Sequence, residues 1–140
     1  MIKNTDEMQQ EILSADNVYD LLDKESESFC GEDLTGYLKD ILLRKNVKRA
    51  DAIRKSGLDR SYGHQIFSGR KVPSRNKLIA LSFGMGLTLD ETNELMKVSR
   101  NRTLYARDRR DAVIIFALTN GMDIIEANEL LYDKAFAIIE

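Results

Sequence analysis

The side chains with the clearest chemical potential in this sequence are basic. Eleven lysines and arginines lie between Arg44 and Lys77 against two acidic residues, Asp51 and Asp59, so this stretch carries +9 in a chain whose total is −2. A basic stripe on an acidic body still supplies the phosphate contacts that dominate affinity for nucleic acid. The pattern therefore predicts a surface that binds a polyanion. The alternative is a set of short basic helices that are only solvated.

Glycines and capping residues within this stretch predict the elements that carry the charge. Gly57 is typical of a left-handed helix end, and Asp59 of the N-cap of the helix that follows. Gly69 ends that second helix after about nine residues, and the Pro-Ser pair at 73–74 begins another. Two short helices joined by a tight turn form a helix-turn-helix, with residues 60–68 as the second, recognition helix.

The same residues resemble the lambda-repressor-like (XRE) family of helix-turn-helix proteins, over residues 34–96. The resemblance implies an all-α, five-helix DNA-binding domain whose recognition helix lies in the major groove, with its first turn at the base edges. It rests on the ordered spacing of four segments: AIRKSG at 52–57, DRS at 59–61, IFSG at 66–69 and PS at 73–74.

This resemblance implies two sets of DNA contacts. Base edges fall to the recognition helix, where Arg favours guanine and Gln adenine; the candidates are Arg60, Ser61, Tyr62, His64 and Gln65. Phosphates fall to residues around it; the candidates are Arg49, Ser68, Arg70, Lys71 and Arg75. The family often has glutamine where this chain has Arg49, so a charge contact replaces an amide contact. Tyr62 replaces a small residue and can instead pack inward.

A further departure from the family involves a pair of positions. Most members have a small alanine four residues before the turn glycine and a branched apolar residue six after it, whereas this chain has Ile53 and Gly63. One large and one absent side chain conserve the filled volume where the helices cross, which predicts a compensated pair. The alternative is a loosened recognition helix, because Gly63 costs on the order of 1 kcal/mol of helix propensity relative to alanine.

The chain as a whole is predicted to be helical. Its 140 residues include 43% hydrophobic residues and one proline, and apolar residues recur at spacings of three and four. The expected divisions are an acidic N-terminal helical extension at 1–32, the helix-turn-helix domain at 33–98, and a C-terminal helical hairpin at 99–140 on the same core. The extension is interpreted as a solvated arm, with inhibition of the basic face or capping of a neighbouring subunit as alternatives.

A helix, glycine and cap pattern occurs twice after the recognition helix. Gly84 and Gly86 are expected to release the chain before a capping box at 88–91. Residues 110–132 then repeat residues 75–97 at an offset of 35, with seven identities in 23 positions. Two copies are too few for a solenoid, so the second copy predicts an αα-hairpin that extends the core. The alternative is that the copies share only the grammar common to helical hairpins.

The C-terminal region raises two further expectations. Its surplus apolar residues are candidates for a dimer face, since a two-fold DNA site needs a two-fold protein; they are Ile124, Leu131, Phe136 and Ile138. A second basic cluster at 99–110 either adds phosphate contacts or pairs with acidic segments.

The sequence argues against catalysis. His64, the only histidine, lies in the recognition helix, and Cys30 is the only cysteine, so no metal or cofactor is expected. The polar start, the single cysteine and the absence of a long apolar run predict a cytoplasmic location without membrane association. The predicted function is a homodimeric transcriptional regulator that binds double-stranded DNA. The alternative is a helical protein-interaction module or antitoxin-like subunit, with a partner on the C-terminal hairpin.

Overall fold

The computed structural model describes residues 30–140, and every regular element in this range is an α-helix, which confirms the all-α prediction there. The predicted extension at 1–32 lies outside the described residues, except that its last three residues belong to the first helix. None of the described helices is long and apolar enough to cross a bilayer. In chain order they are α1 (Cys30–Lys45), α2 (Arg49–Ser56), α3 (Arg60–Phe67), α4 (Arg75–Met85), α5 (Leu89–Val98), α6 (Arg109–Thr119) and α7 (Ile124–Asp133).

The short helices α2 and α3 end and begin where the sequence predicts. Gly57 follows α2 with φ 74°, and Asp59 caps α3 by accepting a hydrogen bond from the backbone N–H of Tyr62 at 3.0 Å. Gly69 follows α3 with φ 84°. Both glycines occupy the left-handed region, which residues with a Cβ rarely adopt, so they fix the lengths of the two helices. A tight turn therefore joins two eight-residue helices.

The core is centred on α4, which is buried on nearly all sides. Leu78, Ile79 and Leu81 are fully buried within it. Helix α2 makes the most extensive packing with α4, while α5 and α7 cover other parts of its surface. Ile114 of α6 and Leu131 of α7 belong to the same buried cluster, so the C-terminal hairpin shares this core.

Two glycines of α4 have different roles, and the expectation that both release the chain is wrong for one of them. Gly86 ends the helix with φ 69°, as predicted. Gly84 lies inside α4, where an added Cβ would collide with the backbone carbonyl oxygen of Ala52 and with Ser56. Its missing side chain lets the backbones of α2 and α4 approach closely.

The repeat is a repeat of hydrogen bonds as well as of helices. We call residues 75–105 the first unit and residues 110–140 the second unit; each consists of two helices and a tail without regular secondary structure. Every equivalent pair of atoms below is separated by 35 positions. Arg75 Nε donates to the carbonyl oxygen of Arg102 at 3.0 Å, and Arg110 Nε to that of Ala137 at 2.8 Å. Asn93 Oδ1 accepts from Leu104 N at 2.9 Å, and Asn128 Oδ1 from Ile139 N at 2.7 Å.

The backbone repeats with the same offset. Arg100 and Ala135, which precede the two tails, have φ of 59° and 63°. These equivalences extend past the stretch in which the sequence repeat is visible. The two units therefore share a complete structure, including a clamp that holds each tail, and not only the general pattern of a helical hairpin.

The units pack on each other reciprocally. Arg75 pairs with Asp111 of the second unit at 2.9 Å, and Arg110 donates to Asn76 Oδ1 of the first unit at 2.6 Å. Helix α4 likewise contacts α7, and α5 contacts α6. Exchange of equivalent residues across a contact is the property of a two-fold relation, which here acts within one chain.

Candidate nucleic-acid interface

Helix α3 turns one face to the core and the other to solvent. Gly63, Ile66 and Phe67 are buried, whereas Arg60 and Ser61 in the first turn are exposed. The apolar residues recur at helical spacing, so packing of that face fixes which way the first turn points. Among the predicted base-reading residues, Arg60 and Ser61 are thus the ones whose side chains are exposed and can contact a partner.

The other three predicted base-reading residues are less accessible. His64 and Gln65 are half-buried. Tyr62 packs against the hydrophobic core, and the Nζ atom of Lys77 lies 5.4 Å from the centroid of its ring. The expectation that Tyr62 can pack inward is therefore met, and its ring holds α3 on the body of the protein.

The exchanged pair lies where α2 and α3 cross. A Cβ built on Gly63 would lie 2.5 Å from Cγ2 of Ile53, so the prediction that the two positions face each other is confirmed. Ile53 is almost fully buried and occupies the space that a side chain at Gly63 would take. The contact agrees with the compensated-pair interpretation, in which the total volume is conserved.

The loop after α3 carries exposed basic side chains on a constrained backbone. The backbone N–H groups of Arg70 and Lys71 both donate to the carbonyl oxygen of Gln65, at 2.9 and 3.2 Å. The Ser68 hydroxyl donates to the same oxygen at 3.1 Å. The predicted phosphate candidates Ser68, Arg70 and Lys71 are thus exposed at one end of α3.

Sequence reasoning missed an apolar residue in this loop. Val72 is 84% exposed beside Lys71. The sequence feature that could have identified Val72 is its position in a basic loop, where a branched apolar residue belongs to no helical apolar pattern. Such a side chain can contact deoxyribose or a thymine methyl group.

The start of α2 lies next to the end of α3. The guanidinium carbon of Arg49 is 5.4 Å from the ring centroid of Phe67. Lys48 occupies the N-cap of α2 and makes no side-chain capping hydrogen bond. The five following helices each have a side-chain cap, from Asp59, Ser74, Thr88, Asp108 and Asp123. A helix start without a side-chain cap leaves backbone N–H groups that can bind an anion. In the sequence, a lysine at the position of the N-cap is the feature that could have identified Lys48.

Ion pairing divides the basic residues between 44 and 77. Four pair with carboxylates: Arg44 with Asp40, Lys45 with Glu91, Arg54 with Asp51, and Arg75 with Asp111. The remaining seven make no ion pair with any described residue: Lys48, Arg49, Lys55, Arg60, Arg70, Lys71 and Lys77. Four of the five lysines and arginines among the predicted contact residues, all except Arg75, therefore belong to the set whose charge is not neutralised locally.

Arg75 requires a correction, because its predicted phosphate contact conflicts with its surroundings. Its side chain is 16% exposed, and both terminal nitrogens bond to the carboxylate of Asp111. Its other hydrogen bonds go to the carbonyl oxygens of Arg102 and Thr103. These bonds use four of the five N–H donors of the guanidinium, and its charge is paired with Asp111, so the side chain is held within the protein rather than offered to a phosphate. The recurrence of arginine at Arg110 was the available sign of a structural role.

The second basic cluster divides between structure and surface. Arg110 is partly buried, which lowers the pKa of its guanidinium, and it bonds to Asn76 and to the carbonyl oxygens of Ala137 and Ile138. These bonds hold the tail of the second unit in place. Arg110 makes no ion pair with a carboxylate among the described residues. The exposed members of the cluster are Arg100, Arg102, Arg107 and Arg109.

The residues predicted for a dimer face are mostly interior, which corrects that set. Ile124 and Leu131 belong to the core, and Phe136 and Ile138 are partly buried against it. The large apolar residues that the second unit exposes are others: Phe116 at 52%, Ile125 at 66% and Tyr132 at 78%.

Comparison with known proteins gives no relative on which function can be based. No protein-family model matches the chain, and no curated protein or solved structure shows significant similarity to it. The geometry and charge of the interface are therefore the observations that bear on function.

Proposed function

We propose that this chain is a sequence-specific, double-stranded DNA-binding regulator of transcription, of the lambda-repressor-like class, and acts by binding rather than catalysis. The observation that carries the proposal is the juxtaposition of three features: the exposed first turn of α3, the basic loop at 68–72, and the uncapped start of α2. The first offers groups for base edges, and the other two offer groups for phosphates.

The dimensions of α3 suit this role. An α-helix with its side chains is about 10 to 12 Å in diameter, and the major groove of B-DNA is about 12 Å wide, so the groove admits α3. With α3 in the groove, Arg60 donates a pair of hydrogen bonds to guanine, and Ser61 and Gln65 offer further polar contacts. Arg70 and Lys71 contact phosphates at one edge, and Arg49 with Lys48 and the α2 amides contacts them beside it.

Separate substitutions of a base-reading and a phosphate-binding residue test this proposal. Selection from a random DNA pool first defines the preferred site. Arg60→Ala is then expected to weaken binding to that site by ~1 to 3 kcal/mol and to relax preference at one position. Lys71→Ala is expected to weaken all sequences alike and to reduce the salt dependence of binding. Lys134→Ala, a basic exposed residue of the second unit, is the matched control and should change neither.

Two outcomes contradict the proposal at different levels. Equal losses on preferred and random DNA for Arg60→Ala would remove the base-reading role of that residue. Absence of salt-sensitive DNA binding by the wild-type chain would remove the function itself, since phosphate contacts make affinity fall steeply with salt.

The regulator is further proposed to act as a homodimer through α6. Leu81 in α4 is buried beneath the covering helices, but its equivalent in α6, Phe116, is exposed. A second copy that covers Phe116 would provide the two-fold needed for a two-fold DNA site. Phe116→Lys is expected to abolish dimers in sedimentation at tens of micromolar, on the order of concentrations where a weak dimer forms. Binding to a half-site should stay unchanged. A wild-type protein that is monomeric at that concentration would contradict the dimer.

A further inference from the structure

The two units share one backbone structure but carry residues of different polarity at some equivalent positions. Three exposed or half-exposed polar residues of the first unit become apolar in the second. Because the first unit folds with polar residues there, the fold does not require the apolar ones. The equivalent pairs are Asp90 and Ile125, Lys97 and Tyr132, and Thr103 and Ile138.

The three apolar residues of the second unit line one groove. It has a volume of 540 Å³ and runs between α7 and the second tail. Asn128 fixes its width, because its side-chain amide donates to the Ile139 carbonyl oxygen at 3.0 Å and accepts from the Ile139 N–H at 2.7 Å. The groove is therefore preformed, with Ile125 and Tyr132 exposed along it. Contiguous exposed apolar surface of this kind is typical of interaction sites.

The polar residues of the groove are acidic. Glu129 and Asp133 line it with the apolar residues, and neither makes an ion pair with any described residue. Residues 111–140 carry six acidic residues against Lys134, a balance of −5. Such a surface repels phosphates, so it is unsuited to DNA and suited to a basic partner. It shares no residue with the candidate nucleic-acid interface.

The spacing of these residues indicates the shape of the partner. Ile125, Glu129, Tyr132 and Asp133 lie at positions i, i+4, i+7 and i+8 of α7, so they form one stripe two turns long. A helix lying along that stripe meets apolar and acidic groups with its own periodicity, which is the usual way in which a groove binds an amphipathic helix.

We propose that this groove binds a basic amphipathic helix of a partner protein. Apolar side chains of that helix pack between Ile125, Tyr132 and Ile138, and its lysines or arginines pair with Glu129 and Asp133. This gives the chain a protein-binding site in addition to the proposed DNA-binding one, on separate residues.

A pair of synthetic peptides tests the site on the full-length chain. One is a helix with leucines at i, i+3, i+4 and i+7 and lysines elsewhere, and the other has glutamate at each lysine position. The basic peptide is expected to bind at least about tenfold more tightly than the acidic one. Its affinity should fall as the salt concentration rises, because salt screens its attraction to the acidic residues. In a nuclear magnetic resonance titration, its largest shifts should fall on Ile125, Tyr132 and Ile138.

The first unit supplies the matched variants. Ile125→Asp with Tyr132→Lys gives the second unit the residues that the first carries at equivalent exposed positions, so its unfolding midpoint and its DNA binding should stay unchanged. Its affinity for the basic peptide is expected to fall about tenfold or more, as loss of two anchoring side chains would produce. The reciprocal change, Asp90→Ile with Lys97→Tyr and Thr103→Ile, should create a second peptide site beside Glu94.

Three results would overturn the proposal. One is that the wild-type chain binds the two peptides with equal affinity, or binds neither of them. Another is unchanged binding by the Ile125 and Tyr132 double variant while its fold is intact. The third is conversion of a wild-type dimer to a monomer by that double variant, because the groove would then be occupied by a second copy of the chain.

Discussion

The first and second units share one backbone scheme but use their outer faces differently. In the first, α2 packs across α4 and Leu81 is fully buried; in the second, Phe116, the equivalent residue of α6, is exposed. The tail clamps are alike, since Arg75 and Arg110 bond to equivalent carbonyl oxygens. What the units have in common is therefore required by the fold. Where they differ, the outer face of the first unit packs against α2, and the outer faces of the second unit expose apolar residues that can bind a partner protein.

The largest expected effect concerns the partners of the two clamps. Asp111 is 1% exposed, pairs with Arg75 and accepts the Tyr105 N–H at 3.0 Å. Asp111→Ala leaves a buried guanidinium without its counter-charge and should destabilise the protein by about 3 to 5 kcal/mol. Asn76→Ala, at the equivalent position, removes a hydrogen bond from the Arg110 guanidinium but no opposite charge, and should cost about 1.5 to 3 kcal/mol. Urea unfolding followed by circular dichroism measures both. Equal losses would mean that the two clamps are energetically the same.

A smaller effect should separate the outer faces of α4 and α6. Gly84→Ala pushes a Cβ into the backbone of α2, which cannot move as a flexible side chain would, and should cost about 1 to 3 kcal/mol. Thr119→Ala, 35 positions on, changes an exposed residue and should lie within about 0.5 kcal/mol of wild type. The same unfolding measurement checks both. If Gly84→Ala is neutral, α2 does not require close approach to α4.

The smallest effect concerns the two capping boxes. Glu91 caps α5 and pairs with Lys45 of α1 at 2.6 Å, whereas its equivalent Glu126 caps α7. Desolvation by burial opposes the change, but hydrogen bonds from Lys45 and from the Thr88 N–H lower the pKa of Glu91. Its ionised form therefore stabilises the fold above the ordinary pKa range of glutamate, and this stabilisation is lost as the pH falls through the lowered pKa.

Glutamine variants at the two positions should show this difference. Because the Lys45 pair is partly solvated, Glu91→Gln should cost only about 0.5 to 1 kcal/mol at neutral pH, and the difference from wild type should vanish in acid. Glu126→Gln should cost a few tenths of a kcal/mol, on the order of an exposed cap interaction. Thermal unfolding across the acidic range compares the two. A loss for Glu91→Gln that persists in acid would show that its charge is not the cause.

Local features of this fold could be predicted, because their causes lie within a few residues. The left-handed ends at Gly57 and Gly69 and the cap at Asp59 follow from backbone sterics and short hydrogen bonds. The contact between Ile53 and Gly63 was predictable because two departures from one pattern compensated each other. The exposed first turn of α3 was implied by the resemblance to the helix-turn-helix family, and the apolar spacing of the same helix accounts for it.

Features that depend on distant partners could not be predicted. The sequence predicts a phosphate contact for Arg75, because its partner Asp111 lies 36 positions away and its other partners are backbone atoms. The sequence predicts a helix end at Gly84, because only the packing of α2 shows why a side chain is excluded there. Periodicity marked Ile124 and Leu131 as apolar but not as interior, because the face that α7 buries is fixed by the reciprocal packing of the units.

The exchange of clamp partners between the units has a consequence for how the chain folds. The first clamp lacks its counter-charge until Asp111 is present, so we expect the first hairpin to reach its full stability only after the second has been synthesised. Helix α2 of the proposed DNA-binding motif packs on α4, whose first turn belongs to this arrangement. We therefore expect that motif to reach its full stability on the ribosome only after residues well beyond its own end have been synthesised. The amide hydrogens of Tyr105 and Ile139 should exchange with solvent together, through one global opening of both units.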